Sequence, residues 1–348
     1  MTSSAQDTPS ARPSSGFLDG PKAICLVLAS AILPYLPCLG FGFVYDDDVV
    51  VLRNPVILHW RSVPSYFLKP VFDFYSTAQA SHYYRPLVLL WLRLNHFLWG
   101  FHAWGWHLTN IALHAAVSLF VFLILRVYFR DPRWAVLGGV IFAVHPAHLE
   151  TVAWVSGCTD SLMSVGLLGS FYLWIAARSS RRFQSLFCFV LALLTKETAF
   201  ILPALIFFHV LLVIPGAPPS SGSRSQRLRN ALREVIPYAV VAALYLAFRF
   251  FIFRGVSASP RWISHRDALL TVPAILWFYV RHLFVPVHLS VLYDFPIVHQ
   301  ASSPLFWAPL ISLVVIILLP GWICLRRTSD NRILAAALWF FLPLAPVL

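Results

Sequence analysis

The sequence predicts an all-α, polytopic membrane protein of about nine transmembrane helices, with further helices lying at the interface in two outer loops. Three observations carry this. The chain is 59% hydrophobic and only 11% charged, where an ordinary globular domain carries about 25%. Apolar runs recur at or near the roughly 20 residues needed to cross a bilayer. Between them sit short clusters of Arg, the residues whose excess marks cytoplasmic turns. The 13 Trp, 12 Tyr and 29 Phe fit aromatic belts and lipid-facing surface. A net charge of +12 would suggest nucleic acid in a soluble chain; here it reads as orientation and contact with anionic lipid. The five cysteines form no CxxC or Cys/His metal spacing and read as small hydrophobes.

Residues 1–20 are Ser/Pro/Gly-rich and lack a helical period, which predicts a disordered cytoplasmic tail before a membrane domain over 21–348. The first span runs from Ala23 to Leu39 and meets three consecutive carboxylates, Asp46, Asp47 and Asp48. Residues 42–104 form a long non-cytoplasmic loop. Within it Val63–Leu68 and Pro86–Leu98 are apolar but too short to span, and Arg93 interrupts the second. Both are expected as interfacial helices, anchored by Trp91, Trp99, Trp104 and Trp106. The second span, 105–127, carries His107, Asn110 and His114 on one face, where interhelical hydrogen bonding is their expected role. Arg126, Arg130 and Arg133 mark a cytoplasmic turn.

The third span, 134–146, ends in His145-Pro146-Ala147-His148-Leu149-Glu150. The fourth, 155–177, has Asp160 in its first turns and is followed by Arg178, Arg181 and Arg182. The fifth, 183–194, breaks at Thr195-Lys196-Glu197 before the sixth, 198–214. A Pro/Gly/Ser linker at 215–233 carries Arg224, Arg227, Arg229 and Arg233, and the seventh span follows at 235–253. Residues 254–303 are a second outer loop. Its run Ala268–Val285 is broken by Pro273, Arg281 and His282 and is expected to be re-entrant or interfacial, since a crossing there would put Arg326, Arg327 and Arg332 outside. Spans at 305–325 and 332–348 complete the chain. The end at Leu348 without a polar tail reads as truncation.

This layout gathers Asp46, Asp47, Asp48, His145, His148, Glu150, Asp160, Lys196 and Glu197 at one membrane surface, joined by Arg85 and Arg281 from the outer loops. Neighbouring carboxylates push one pKa up, a common route to a general acid or base. Blander roles exist: a solvated helix stop for the acidic triplet, helix-end caps for the two histidines, a charged turn for Lys196–Glu197. His145, His148 and Glu150 could hold a divalent metal, but HxxH with a nearby Glu is weak spacing, so no metal site and no cofactor is assigned. Cations beside carboxylates at that depth suit an anionic amphipathic substrate, with the cations on a phosphate and a carboxylate on a nucleophile. A sugar on a polyprenyl phosphate has that shape.

The motifs FVYDDDVVVLRNP at 43–55, YYRPLVLLWLRLNHFLWG at 83–100, WHLTNIALH at 106–114, FAVHPAHLETVAWVSGCTDSL at 142–162, LLTKETAFILP at 193–203 and the terminal WFFLPLAP follow in order. Together they resemble the membrane domain of the transmembrane and tetratricopeptide-repeat-containing proteins, protein O-mannosyltransferases of the GT-C class. The resemblance implies inverting transfer of a sugar, mannose, from a dolichyl- or undecaprenyl-phosphate donor to an acceptor protein or glycan at the non-cytoplasmic face. It also implies an endoplasmic reticulum or bacterial inner membrane with a cytoplasmic N-terminus, lipids as partners and no nucleic acid. Asp46 or Asp47, with Asp48 alongside, is the expected general base or acceptor-binding carboxylate. Glu150 and Asp160 orient the site, and Arg85, Lys196 and Arg281 are the candidates for donor phosphate. His145, His148 and Glu197 are further site candidates. Two departures stand out: the tetratricopeptide repeats are absent from the sequence, and the family's Gly-Arg-x-Asp is here Gly157-Cys158-Thr159-Asp160. The alternatives are a transporter or flippase of a lipid-linked substrate, disfavoured by the lack of an inverted repeat, and an inactive scaffold.

Overall fold

A computed structural model describes residues 20–69, 71, 83–129, 131–177, 180–212, 224–253, 263–290, 293–327 and 332–344. All but the last residue of the tail expected over 1–20, and residues 215–223 of the linker expected over 215–233, lie outside the described residues. Among the described residues the chain is helical, with no strand.

Helix α1 (Pro21–Ile32) passes into a 3-10 segment, Leu33–Gly40, where Pro34 and Pro37 withhold N–H donors and tighten the coil. The long first loop then holds a short α2 (Val63–Tyr66) and the amphipathic α3 (Pro86–Trp99), helical close to where two short helices were expected. One expected anchor differs: Trp106 is buried, its Nε1 donating to the Gly100 carbonyl at 3.1 Å, because α4 (Ala103–Tyr128) turns it under the loop. The polar face of α4 does join other segments. His114 Nε2 meets the Ala143 carbonyl at 2.9 Å, and Asn110 Nδ2 donates to the Trp154 carbonyl at 3.0 Å.

Helix α5 (Pro132–Val144) ends at His145, and the chain bends by 48° into a 3-10 turn and α6 (Leu149–Ala153). Helices α7 (Cys158–Ala177) and α8 (Arg182–Thr195) form an antiparallel hairpin. Gly166 permits it: a Cβ there would lie 3.0 Å from the Cys188 carbonyl oxygen. Ser170 and Ser185 lock it, each hydroxyl donating to the other's carbonyl at 2.7 Å. The helix stops at Lys196, whose extended backbone separates α8 from a 3-10 turn and α9 (Leu202–Leu212), as the charged break predicts.

Helix α10 (Arg224–Phe253) packs on α8 and α9. Helix α11 (His265–Phe284) packs on α12 (Pro304–Arg327), and α13 (Arg332–Phe341) returns to α9. Residues 268–285, expected to be re-entrant or interfacial, fall almost wholly within one continuous helix that is long and apolar enough to cross a membrane. Pro273 removes one helical hydrogen bond without breaking the coil, and α11 is one unbroken helix capped by Ser264. By length and composition four stretches among the described residues could cross a membrane: Pro21–Gly40, Ala103–Tyr128, Ser225–Ile252 and His265–Phe284. The bent pair α5–α6 makes a fifth.

Candidate functional site

The acidic triplet folds into a turn that sends its three side chains to three places. Tyr45 has φ 51°, in the left-handed region that non-glycine residues rarely occupy. After it Asp47 is fully buried. Its carboxylate accepts from the Val44 N–H at 3.0 Å, the Ser156 N–H at 2.8 Å and the Ser156 hydroxyl at 2.5 Å. Asp47 therefore ties the first long loop to the turn before α7. Asp48 points outward to Arg53 at 2.8 Å, an exposed pair of small energetic consequence. Asp46 alone faces a polar cavity of about 270 Å³.

The opposite wall is built by residues 150–160. The turn closes tightly over Glu150: a Cβ on Gly157 would come within 2.6 Å of the Glu150 carbonyl oxygen, which is why glycine stands there. The carboxylate of Glu150 lines the cavity. The α7–α8 hairpin brings Asp160, in the first turn of α7, to Lys196, just past the end of α8. Lys196 Nζ lies 2.6 Å from Asp160 Oδ1. Arg85, preceding α3, completes the ring. Its guanidinium lies over the Tyr83 ring at 4.3 Å and 3.6 Å from Glu197.

The cavity thus gathers Asp46, Arg85, Glu150, Asp160 and Lys196. The other candidates do not line it. Asp47 is spent on its tether. Glu197 sits behind Arg85. Arg281 is exposed on α11, and no wall of the cavity comes from that helix. His145 uses both ring nitrogens, Nδ1 accepting from the Ala147 N–H at 3.2 Å and Nε2 meeting the Leu283 carbonyl at 2.9 Å. His148 is packed between Phe142, at 4.3 Å, and His114, at 5.1 Å. Among the described residues no three of His, Cys, Asp and Glu gather as a metal site. Ser156 was missed from sequence; only its place before Gly157 could have flagged it.

A second cavity, of about 380 Å³, adjoins the first. Glu150 and Trp154 line both. Tyr45 lines the second and its neighbour Asp46 the first.

The chain is similar to proteins named as protein O-mannosyl-transferases. It is 35% identical over 179 residues to Tmtc1 of Drosophila melanogaster, covering 49% of this chain and 20% of that protein. It is 34% identical over 152 residues to human TMTC2, 43% of this chain and 18% of that one. For human TMTC3 the figures are 38% over 156 residues, 43% and 16%. The family expected from the motifs is the one these relatives bear in their names. The matched part spans about a fifth of the length of these relatives. No family model matches the chain, and no solved structure does.

Proposed function

We propose that this chain is the membrane part of a glycosyltransferase of GT-C type. It moves mannose from a polyprenyl-phosphate donor to a Ser or Thr hydroxyl of a protein at the non-cytoplasmic face. The observation that carries this is the polar cavity, which gathers two cations, Arg85 and Lys196, with the carboxylates of Asp46 and Glu150. The relatives named as O-mannosyl-transferases support the sugar and the protein acceptor.

In this reading Arg85 and Lys196 hold the donor phosphate by charge-assisted hydrogen bonds. Asp46 accepts the proton of the acceptor hydroxyl as its oxygen attacks the anomeric carbon. The bond from that carbon to the phosphate oxygen breaks, and its electron pair leaves with the polyprenyl phosphate. Inversion follows from the single displacement. The leaving phosphate needs positive charge rather than an acid, which the two cations supply where it develops. Glu150 holds a sugar or acceptor hydroxyl from the other side, and Asp160 holds Lys196 until the donor arrives. No metal is required, and chelation by EDTA is expected to leave the rate unchanged. A tenfold stimulation by Mg²⁺ or Mn²⁺ would contradict that.

The test is transfer of radiolabelled mannose from dolichyl phosphate to a peptide mixture by purified protein in detergent. Labelled peptide supports the reading. Donor binding without transfer to any acceptor would favour a transporter or scaffold.

A further inference from the structure

The second cavity differs from the first in kind. Its walls come from the first long loop, the α5–α6 bend, the end of α11 and the segment after it. Among the described residues no Lys or Arg lines it, and Glu150 is its one carboxylate. Tyr45, Tyr279, Tyr293, Phe278, His282 and Trp154 supply much of the rest. The aromatic wall is itself braced. Phe278 meets Tyr293 edge-on at 4.8 Å, the Tyr293 hydroxyl accepts from the Ser290 N–H at 2.9 Å, and His145 ties α11 to the bend.

An inverting displacement requires the nucleophile to approach the anomeric carbon from the side opposite the leaving phosphate. The phosphate-holding cations lie in the polar cavity. The approach is then from the junction with the aromatic one, between Asp46 with Tyr45 on one side and Glu150 with Trp154 on the other. Tyr293 and His282 bond within the protein, but an isoprenoid tail has no use for the Tyr45 and Tyr279 hydroxyls or the Glu150 carboxylate. A peptide does, because its backbone carries polar groups beside any apolar side chain. At about 380 Å³ the cavity is of ligand-pocket size and holds a large side chain with adjoining backbone.

We infer that the aromatic cavity is the acceptor subsite, and that it selects Ser or Thr residues flanked by an aromatic or large aliphatic side chain. This rests on the glycosyltransferase reading. The flanking residue fills the cavity and delivers the hydroxyl to the junction.

The experiment uses the full chain in detergent, dolichyl-phosphate mannose, and matched peptides with Phe, Leu, Ala or Asp beside a single Thr. The expected result is a kcat/KM at least tenfold higher for Phe or Leu than for Ala or Asp. Tyr279→Ala and, separately, Phe278→Ala should bring that ratio close to one, with donor binding measured in each to show the fold is kept. Equal transfer to all four peptides overturns the inference and leaves the enzyme reading standing. So does a preference that survives both variants in donor-binding protein. A third contrary result is a change in dependence on donor chain length, citronellyl against dolichyl, with the peptide preference intact; that would give the cavity to the lipid. Failure of the wild type to label any peptide while binding donor would remove the glycosyltransferase reading itself.

Discussion

Asp46 and Asp47 are chemically the same side chain one residue apart, yet they have different work. Asp47 accepts from two N–H groups and a hydroxyl across a long-range contact. Asp47→Ala leaves those buried donors unsatisfied and should cost on the order of 3 kcal/mol. The check is thermal unfolding in detergent, where its Tm is expected to fall by several degrees and that of Asp46→Ala to stay near the wild type. Glu150 places a further carboxylate in the cavity proposed for the donor. In Glu150→Gln donor binding, read by direct titration, should tighten by about three- to tenfold at neutral pH. Weaker binding in this variant would contradict a donor phosphate there. None of this partition was legible in the sequence, because which of three adjacent carboxylates meets Ser156 depends on a contact 109 positions away.

At the scale of elements, the site depends on two close approaches. The first is the turn at Gly157, whose missing Cβ leaves room for the Glu150 carbonyl. Gly157→Ala meets backbone, which cannot rotate away, and should displace Glu150 and lower kcat/KM by about tenfold or more, about 1–3 kcal/mol. The second is the α7–α8 hairpin that presents Lys196 beside Asp160. Lys196→Gln should weaken donor binding by about tenfold, read by direct titration with dolichyl phosphate. Here the sequence was informative. The α8 break at Lys196, the start of α7 near Asp160 and the short helix α3 all follow from where apolar runs meet charge. Helix α11 was less legible, since Pro273, Arg281 and His282 suggested a break. The proline costs a hydrogen bond that packing on α12 outweighs. Arg281, placed near the site by sequence order alone, lies on an exposed face of that helix.

Across the whole molecule, helical class and membrane character could be read from composition and run length. The convergence of five charged residues on one cavity could be anticipated only in outline, from charges at the ends of separate helices. What the sequence could not give was the second cavity. Its walls come from segments far apart in the chain, and aromatic residues in apolar runs look the same whether they face lipid, core or substrate. The two cavities adjoin at Glu150 and Trp154, one holding Arg85 and Lys196 and the other walled largely by aromatic residues, which suits the two-substrate transfer proposed.

The central claim is that Asp46 is the carboxylate that takes the acceptor's proton. The most direct measurement is mannose transfer by Asp46→Asn, with donor affinity and Tm measured on the same preparation. The account predicts a loss of kcat of at least a hundredfold, with Tm and donor affinity close to the wild type. Near-full transfer by this variant, in protein that binds donor normally, would contradict it.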